Sequence, residues 1–164
     1  MDLYPWLVFL HIAGGFTFVL GHGASAIVAI RLRTEREPER VRALLDLSSG
    51  SLTLTYVGLL VLLAAGIAAG FGGGWWGRLW IWSSLVLLVV IAVVMYPLGS
   101  QYYAKARHAV GLRTYQDKKG DPDPVPASPA DLDALLTSSR PALLAAIGGV
   151  GLLLILWLMV LKPF

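Results

Sequence analysis

Four long apolar stretches separated by polar segments dominate the chain. They cover about residues 4–30, 48–70, 79–104 and 141–161, and none contains Asp, Glu, Lys or Arg. A helix needs about 20 apolar residues to cross about 30 Å of hydrocarbon, and each stretch meets that length. Backbone groups in lipid must be bonded within their own segment, so helices are predicted rather than strands. The pattern predicts an all-α fold: an integral membrane antiparallel four-helix bundle in one transmembrane domain, residues 1–164, with loops 31–47 and 105–140 between the spans.

Charge gives the bundle a direction. Arg31, Arg33, Arg36, Arg40 and Arg42 follow the first span; Lys105, Arg107, Arg113, Lys118, Lys119 and Arg140 lie between the third and fourth. Arg78 and Lys162 alone lie on the opposite side. The positive-inside rule therefore places both long loops in the cytoplasm and both termini outside. A multi-pass protein of a prokaryotic-type cytoplasmic (inner) membrane is expected. The start, Met1-Asp2-Leu3-Tyr4-Pro5-Trp6, lacks a basic n-region, and the apolar run after it exceeds a signal h-region, so a retained span is expected.

The connecting segments carry their own signals. Gly72-Gly73-Gly74 with Trp75, Trp76, Trp80 and Trp82 reads as a turn with an interfacial aromatic belt. No Lys-Ser/Thr follows the glycines, so they do not form a P-loop. Leu44, Leu45 and Leu47 after the mixed charges of residues 35–42 suggest an amphipathic helix at the membrane surface. Asp117 to Pro129 holds four prolines and reads as a linker. Ser128-Pro129-Ala130-Asp131 predicts an N-cap and a short helix to Thr137.

Composition agrees with a lipid environment: 57% hydrophobic and only 14% charged residues, against about 25% charged in soluble domains. There is no cysteine, which excludes disulfides, thiolate metal sites and iron–sulfur clusters. The net charge of +3 follows membrane topology, so no nucleic-acid partner is expected. The expected partners are the lipid bilayer and either a second copy or a membrane partner subunit.

Candidate chemistry sits at membrane depth, where ionisable groups are costly and tend to be functional. His11 and His22 interrupt the first span. At 100° and 1.5 Å per residue they lie about 20° apart on one helix edge and about 16 Å apart in depth. Gly14, Gly15, Gly21 and Gly23 flank them; small residues suit close helix packing, and they also leave room for a flat cofactor. With Arg31, Asp46 and Lys105 marking the inner membrane edge, His22, Tyr56, Met95 and Tyr96 fall in one layer about 13–15 Å deep. His108 lies beyond that edge as an interfacial side chain, and neither it nor His11 reaches His22 as an opposing axial ligand. Single-His, His/Met or cross-subunit ligation remains open.

No carboxylate lies in any span, which disfavours a carboxylate proton relay and a hard-cation site. Met95 and the two histidines leave a soft copper path open. Hydrolase triads, H-E-x-x-H and dinucleotide fingerprints are absent. Gly66-Ile-Ala-Ala-Gly70 and Gly148-Gly149-Val150-Gly151 mark close helix contacts, within the chain or with a partner. Pro97 predicts a kink late in the third span.

Phe9-Leu10-His11-Ile12-Ala13-Gly14 with Gly21-His22-Gly23, and Trp80-Ile81-Trp82-Ser83-Ser84-Leu85 with the Tyr102-Tyr103-Ala104-Lys105 end of the third span, resemble the CopD-like membrane superfamily. That grouping includes copper-resistance CopD proteins, HemJ-type protoporphyrinogen oxidases and uncharacterised families, and the chain is most similar to the last, over spans one to three. The resemblance implies haem binding with His11 as the inheriting residue. Ser83 and Ser84 stand where HemJ-type members have a lysine, so oxidase activity is not implied. CopD proper is longer, so copper transport is not implied by this short form.

The combined expectation is a small haem-associated or redox-linked membrane protein. Its cofactor is haem b, its cofactor-binding residues are His11, His22, Met95, Tyr56 and Tyr96, and its metal ligands are His11 and His22. The alternatives are a cofactor-free subunit packing on a partner through its glycine faces, and a small-solute or metal permease.

Overall fold

The computed structural model describes residues 2–164. Helices α1 (Tyr4–Leu32), α2 (Pro38–Gly72), α3 (Leu79–Ala109), α4 (Pro129–Leu136) and α5 (Arg140–Leu161) account for most of the chain, with a 3₁₀ turn at Trp75–Gly77 and no strand among the described residues. The chain is an all-α four-helix bundle: α1, α2, α3 and the Pro129–Leu161 run are long and apolar enough to cross a membrane. Proline stands in the first turn of α1, α2, α4 and α5, where its missing N–H costs nothing. Ser128 caps α4 as expected, its side chain accepting from the Asp131 N–H at 3.2 Å, and the helix closes one residue before Thr137.

The bundle is two helix pairs. α1 packs most extensively on α2 and α3 on α5, while the α1–α5 and α2–α3 contacts are thinner. Glycine sets the first pair. A Cβ on Gly14 would lie 2.5 Å from the Leu62 backbone nitrogen, one on Gly21 2.7 Å from that of Thr55, and one on Gly58 2.3 Å from that of Phe18. Here backbone meets backbone, as small residues permit in lipid. Hydroxyls lock the same interface: Ser25 Oγ lies 2.9 Å from both Ser48 Oγ and Ser51 Oγ, and Tyr103 donates to the Ser25 carbonyl at 3.1 Å.

The outside is apolar, with Phe16, Leu20, Leu60, Val86 and Leu153 all exposed, the surface a lipid solvent calls for. The water-type core lies instead at the cation-rich end. There Val28, Leu32, Val41, Leu45, Ala106, Val110, Leu132 and Leu136 form one cluster shared by α1 to α4. Burying each Leu or Val there contributes about 1.5–3 kcal/mol.

Two local expectations change. The amphipathic segment after residue 38 is no separate surface helix; it runs straight into the second span as α2. Val41 and Leu45 are buried in the cluster, and nothing from Leu44 to Thr55 breaks the helix. Trp80 leaves the aromatic belt: it is buried and tilts against Trp75 at 6.1 Å, while the Lys162 ammonium lies 4.5 Å from the Trp75 ring and 5.5 Å from the Trp80 ring. The apolar face of Trp80 serves packing at the bundle end, and Trp82 stays exposed.

Candidate functional site

His11 projects from α1 onto α2. Its Nδ1 lies 2.7 Å from the Leu62 carbonyl oxygen. A carbonyl only accepts, so Nδ1 carries a proton and Nε2 is the nitrogen left to act as a donor to a ligand. Gly66 makes the space: a Cβ there would stand 2.6 Å from His11 Nδ1. The second glycine of that motif, Gly70, receives the Trp76 ring at 3.1 Å in the same way. The G-x-x-x-G of α2 therefore holds side chains of its own chain.

His22 has a different setting. Its ring stacks on Phe18 with centroids 5.6 Å apart and planes 6° from parallel. His11 and His108 each have a hydrogen-bond partner, whereas His22 has none among the described residues. Its Nε2 points across the seam between the two helix pairs, 2.9 Å from where a Cβ on Gly148 of α5 would stand. Met95 of α3 meets the same point, its Cε at 3.4 Å and its Sδ at 3.6 Å. An imidazole nitrogen and a thioether thus converge on one missing methyl group. The two histidines share an edge of α1 yet face different helices, because the edge meets α2 at the level of His11 and α5 at that of His22.

Of the residues expected to form one layer, the structure brings His22 and Met95 together. Tyr56 and Tyr96 are turned outward, 61% and 66% exposed. Each follows a residue that faces inward: Thr55 meets Gly21, and Met95 meets Gly148. A step of about 100° along a helix then sends the next side chain to the lipid face.

Among the described residues no three His, Cys, Asp or Glu side chains converge as metal ligands, so no cage for a hard or borderline cation is built. A macrocycle does not fit between His22 and Met95 either. The space beside Gly14 and Gly21 is filled by the α2 backbone, and Gly148 brings the α5 backbone against His22 Nε2. Haem between His22 and Met95 would require α1 and α5 to part. A single ion, in contrast, needs only one nitrogen and one sulfur as ligands.

His108 lies outside this site. Its Nε2 is 3.0 Å from the Asp117 carboxylate, and Thr114 donates to the same carboxylate through its hydroxyl at 3.1 Å. Gly111, at φ +77°, turns the chain back: Leu112 N–H bonds the Arg107 carbonyl and Gly111 N–H that of His108, both at 2.9 Å, a Schellman end to α3. The Thr114 N–H, and after it His108, hold the Asp117 carboxyl below the usual carboxylate range. A depressed folded-state value means the clasp is intact above the ordinary carboxylate pKa and is lost as pH falls through the folded one. Cleavage beside the exposed Tyr115 by an acid-active protease should therefore rise below about pH 4. Asp117→Asn should be cut at the acid rate throughout; a variant as resistant as the parent would show that the clasp does not hold the loop.

The sequence reading missed Ser25, Ser48, Ser51, Thr55 and Asp117. The hydroxyls had a signal, since Ser48, Ser51 and Thr55 fall at i, i+3 and i+7 on one face of α2. Asp117 had none, because its partner is fixed by a loop fold.

Compared with protein-family models, curated proteins and solved structures, the chain matches none.

Proposed function

We propose that this small multi-pass membrane protein takes a soft monovalent metal ion of the copper(I) type into its bundle, with His22 Nε2 and Met95 Sδ as the ligands. The observation that carries the reading is the convergence of those two atoms on Gly148. Imidazole and thioether are soft enough to select copper(I) over hard cations, and the apolar surroundings favour the lower-charged state. The seam holding the pair is the thinner contact of the bundle, so parting α1 from α5 opens the site and leaves both tight helix pairs intact. This is the metal-permease alternative narrowed to one ion class.

An anaerobic copper(I) titration of the detergent-purified chain against a coloured chelator tests it. The parent and His108→Ala should take one equivalent. His22→Ala and Met95→Leu should each weaken binding by at least about 100-fold, since even outer-shell partners of a metal cost 10–100-fold. Parent-like binding by both ligand variants would remove the site.

A second reading rests on His11. Its Nδ1–H donates to a backbone carbonyl, the arrangement that orients a ligating imidazole and leaves Nε2 for iron. It makes His11 the axial ligand of haem b, on the outer half of α1 and away from the Gly148 gap. A visible spectrum separates the two: a stoichiometric Soret band lost in His11→Ala and kept in His108→Ala would replace the copper reading.

A further inference from the structure

The cation-rich end holds a feature unrelated to the metal site. A pocket of about 480 Å³ opens between the end of α1 and the start of α2, lined by Arg31, Thr34, Glu35, Arg40, Ala43, Leu44 and Leu47. Its polar side carries two guanidinium groups. Arg31 has no ion pair and no side-chain hydrogen bond among the described residues. Arg40 pairs only with Glu37, at 2.8 Å, and both side chains are more than half exposed; such a pair contributes little and exchanges readily. The Glu35 carboxylate is engaged elsewhere, accepting from the backbone N–H groups of Arg36 at 2.9 Å and Glu37 at 3.1 Å. Those bonds hold it below the usual carboxylate range.

The other side of the pocket is apolar and runs onto the lipid-facing exterior. Leu47 is 59% exposed, and Ile30, the residue before Arg31, is 55% exposed. Ala43 and Leu44 continue that wall toward the cluster of buried side chains beneath. Positive charge thus stands at one end of a groove and hydrocarbon-like surface at the other, at the level where the first span ends. A water-soluble anion would use the first half only. A phospholipid uses both, with its phosphate between the two guanidinium groups and an acyl chain along Ala43, Leu44 and Leu47.

From this arrangement we infer that the pocket is a binding site for one anionic phospholipid of the leaflet at the cation-rich end. Basic pockets at the cytoplasmic membrane edge recognise lipid headgroups through the same combination. Arg31 is the principal contact, because no protein carboxylate competes for it.

Native mass spectrometry of the full chain, delipidated in detergent and mixed with phosphatidylglycerol or phosphatidylcholine, tests the site. The parent should retain one phosphatidylglycerol in preference to phosphatidylcholine. Arg31→Gln should weaken retention about tenfold, the loss of a charge-assisted hydrogen bond. Arg31→Lys should keep most of it, and Arg78→Gln, at the opposite end of the bundle, should match the parent. Millimolar inorganic phosphate should not displace the lipid. Equal retention by Arg31→Gln and the parent would overturn the assignment. So would displacement by phosphate alone, which would mark a simple anion site.

Discussion

Gly58→Ala should part α1 from α2 and produce the largest loss of stability of any single methyl added to this chain. The new Cβ would stand 2.3 Å from the Phe18 backbone nitrogen and 2.8 Å from its Cα and from the Thr17 carbonyl carbon. None of these atoms belongs to a side chain that can swing aside, so relief requires moving a whole helix. Overpacking a well-filled interior costs about 1–3 kcal/mol, and a backbone-on-backbone clash belongs at the upper end. The displacement also stretches the Ser25–Ser48–Ser51 hydroxyl contacts about two to three turns along the same interface. Gly23→Ala is the control. Its Cβ meets nothing within 4 Å, and removing a helical glycine there should stabilise by about 0.5–1 kcal/mol. Thermal unfolding in detergent reads both. Equal midpoints for the two variants would mean that α1 and α2 do not approach at Gly58.

The same contact explains what the sequence shows and what it conceals. The spans and the all-α class follow from uncharged apolar length, a property of the one-dimensional pattern. Glycine positions on α1 and α2 also announce close approach. Pairing is another matter: Gly66 and Gly70 form the motif usually read as helix-on-helix contact, yet they receive the His11 and Trp76 rings. Gly58, outside any such motif, makes the tightest approach between the two helices. Spacing fixes the face a residue occupies; which neighbour that face meets depends on how the helices cross. His11 and His22 illustrate it, sharing an edge of α1 while facing α2 and α5. Met95 beside His22 was within reach of depth arithmetic, and its neighbour Tyr96 shared that depth. Only the azimuth of α3 separates them, and an apolar helix in lipid carries no hydrophobic face in its sequence to reveal its azimuth.

Azimuth also decides how the metal site is best tested. Removing His22 or Met95 deletes a ligand and a packing group together, so lost binding has two explanations. Gly148→Ala deletes neither. Its Cβ would stand 2.9 Å from His22 Nε2, 3.4 Å from Met95 Cε and 3.6 Å from Met95 Sδ, so the added methyl presses on both ligand side chains at once. The atoms it meets are the ends of side chains, which rotate away for about 1 kcal/mol or less. The variant should therefore fold and melt close to the parent while its copper(I) affinity falls by at least about 100-fold. Gly151→Ala, one helical turn further along α5, reverses the pattern. Its Cβ would meet Ile91 Cδ1 at 2.3 Å, a packing conflict worth about 1–2 kcal/mol, with copper(I) affinity unchanged. If Gly148→Ala binds copper(I) as the parent does, the ion does not sit between His22 and Met95, and their meeting at Gly148 is helix packing alone. If it folds, melts normally and binds none, the missing methyl group is what makes the site.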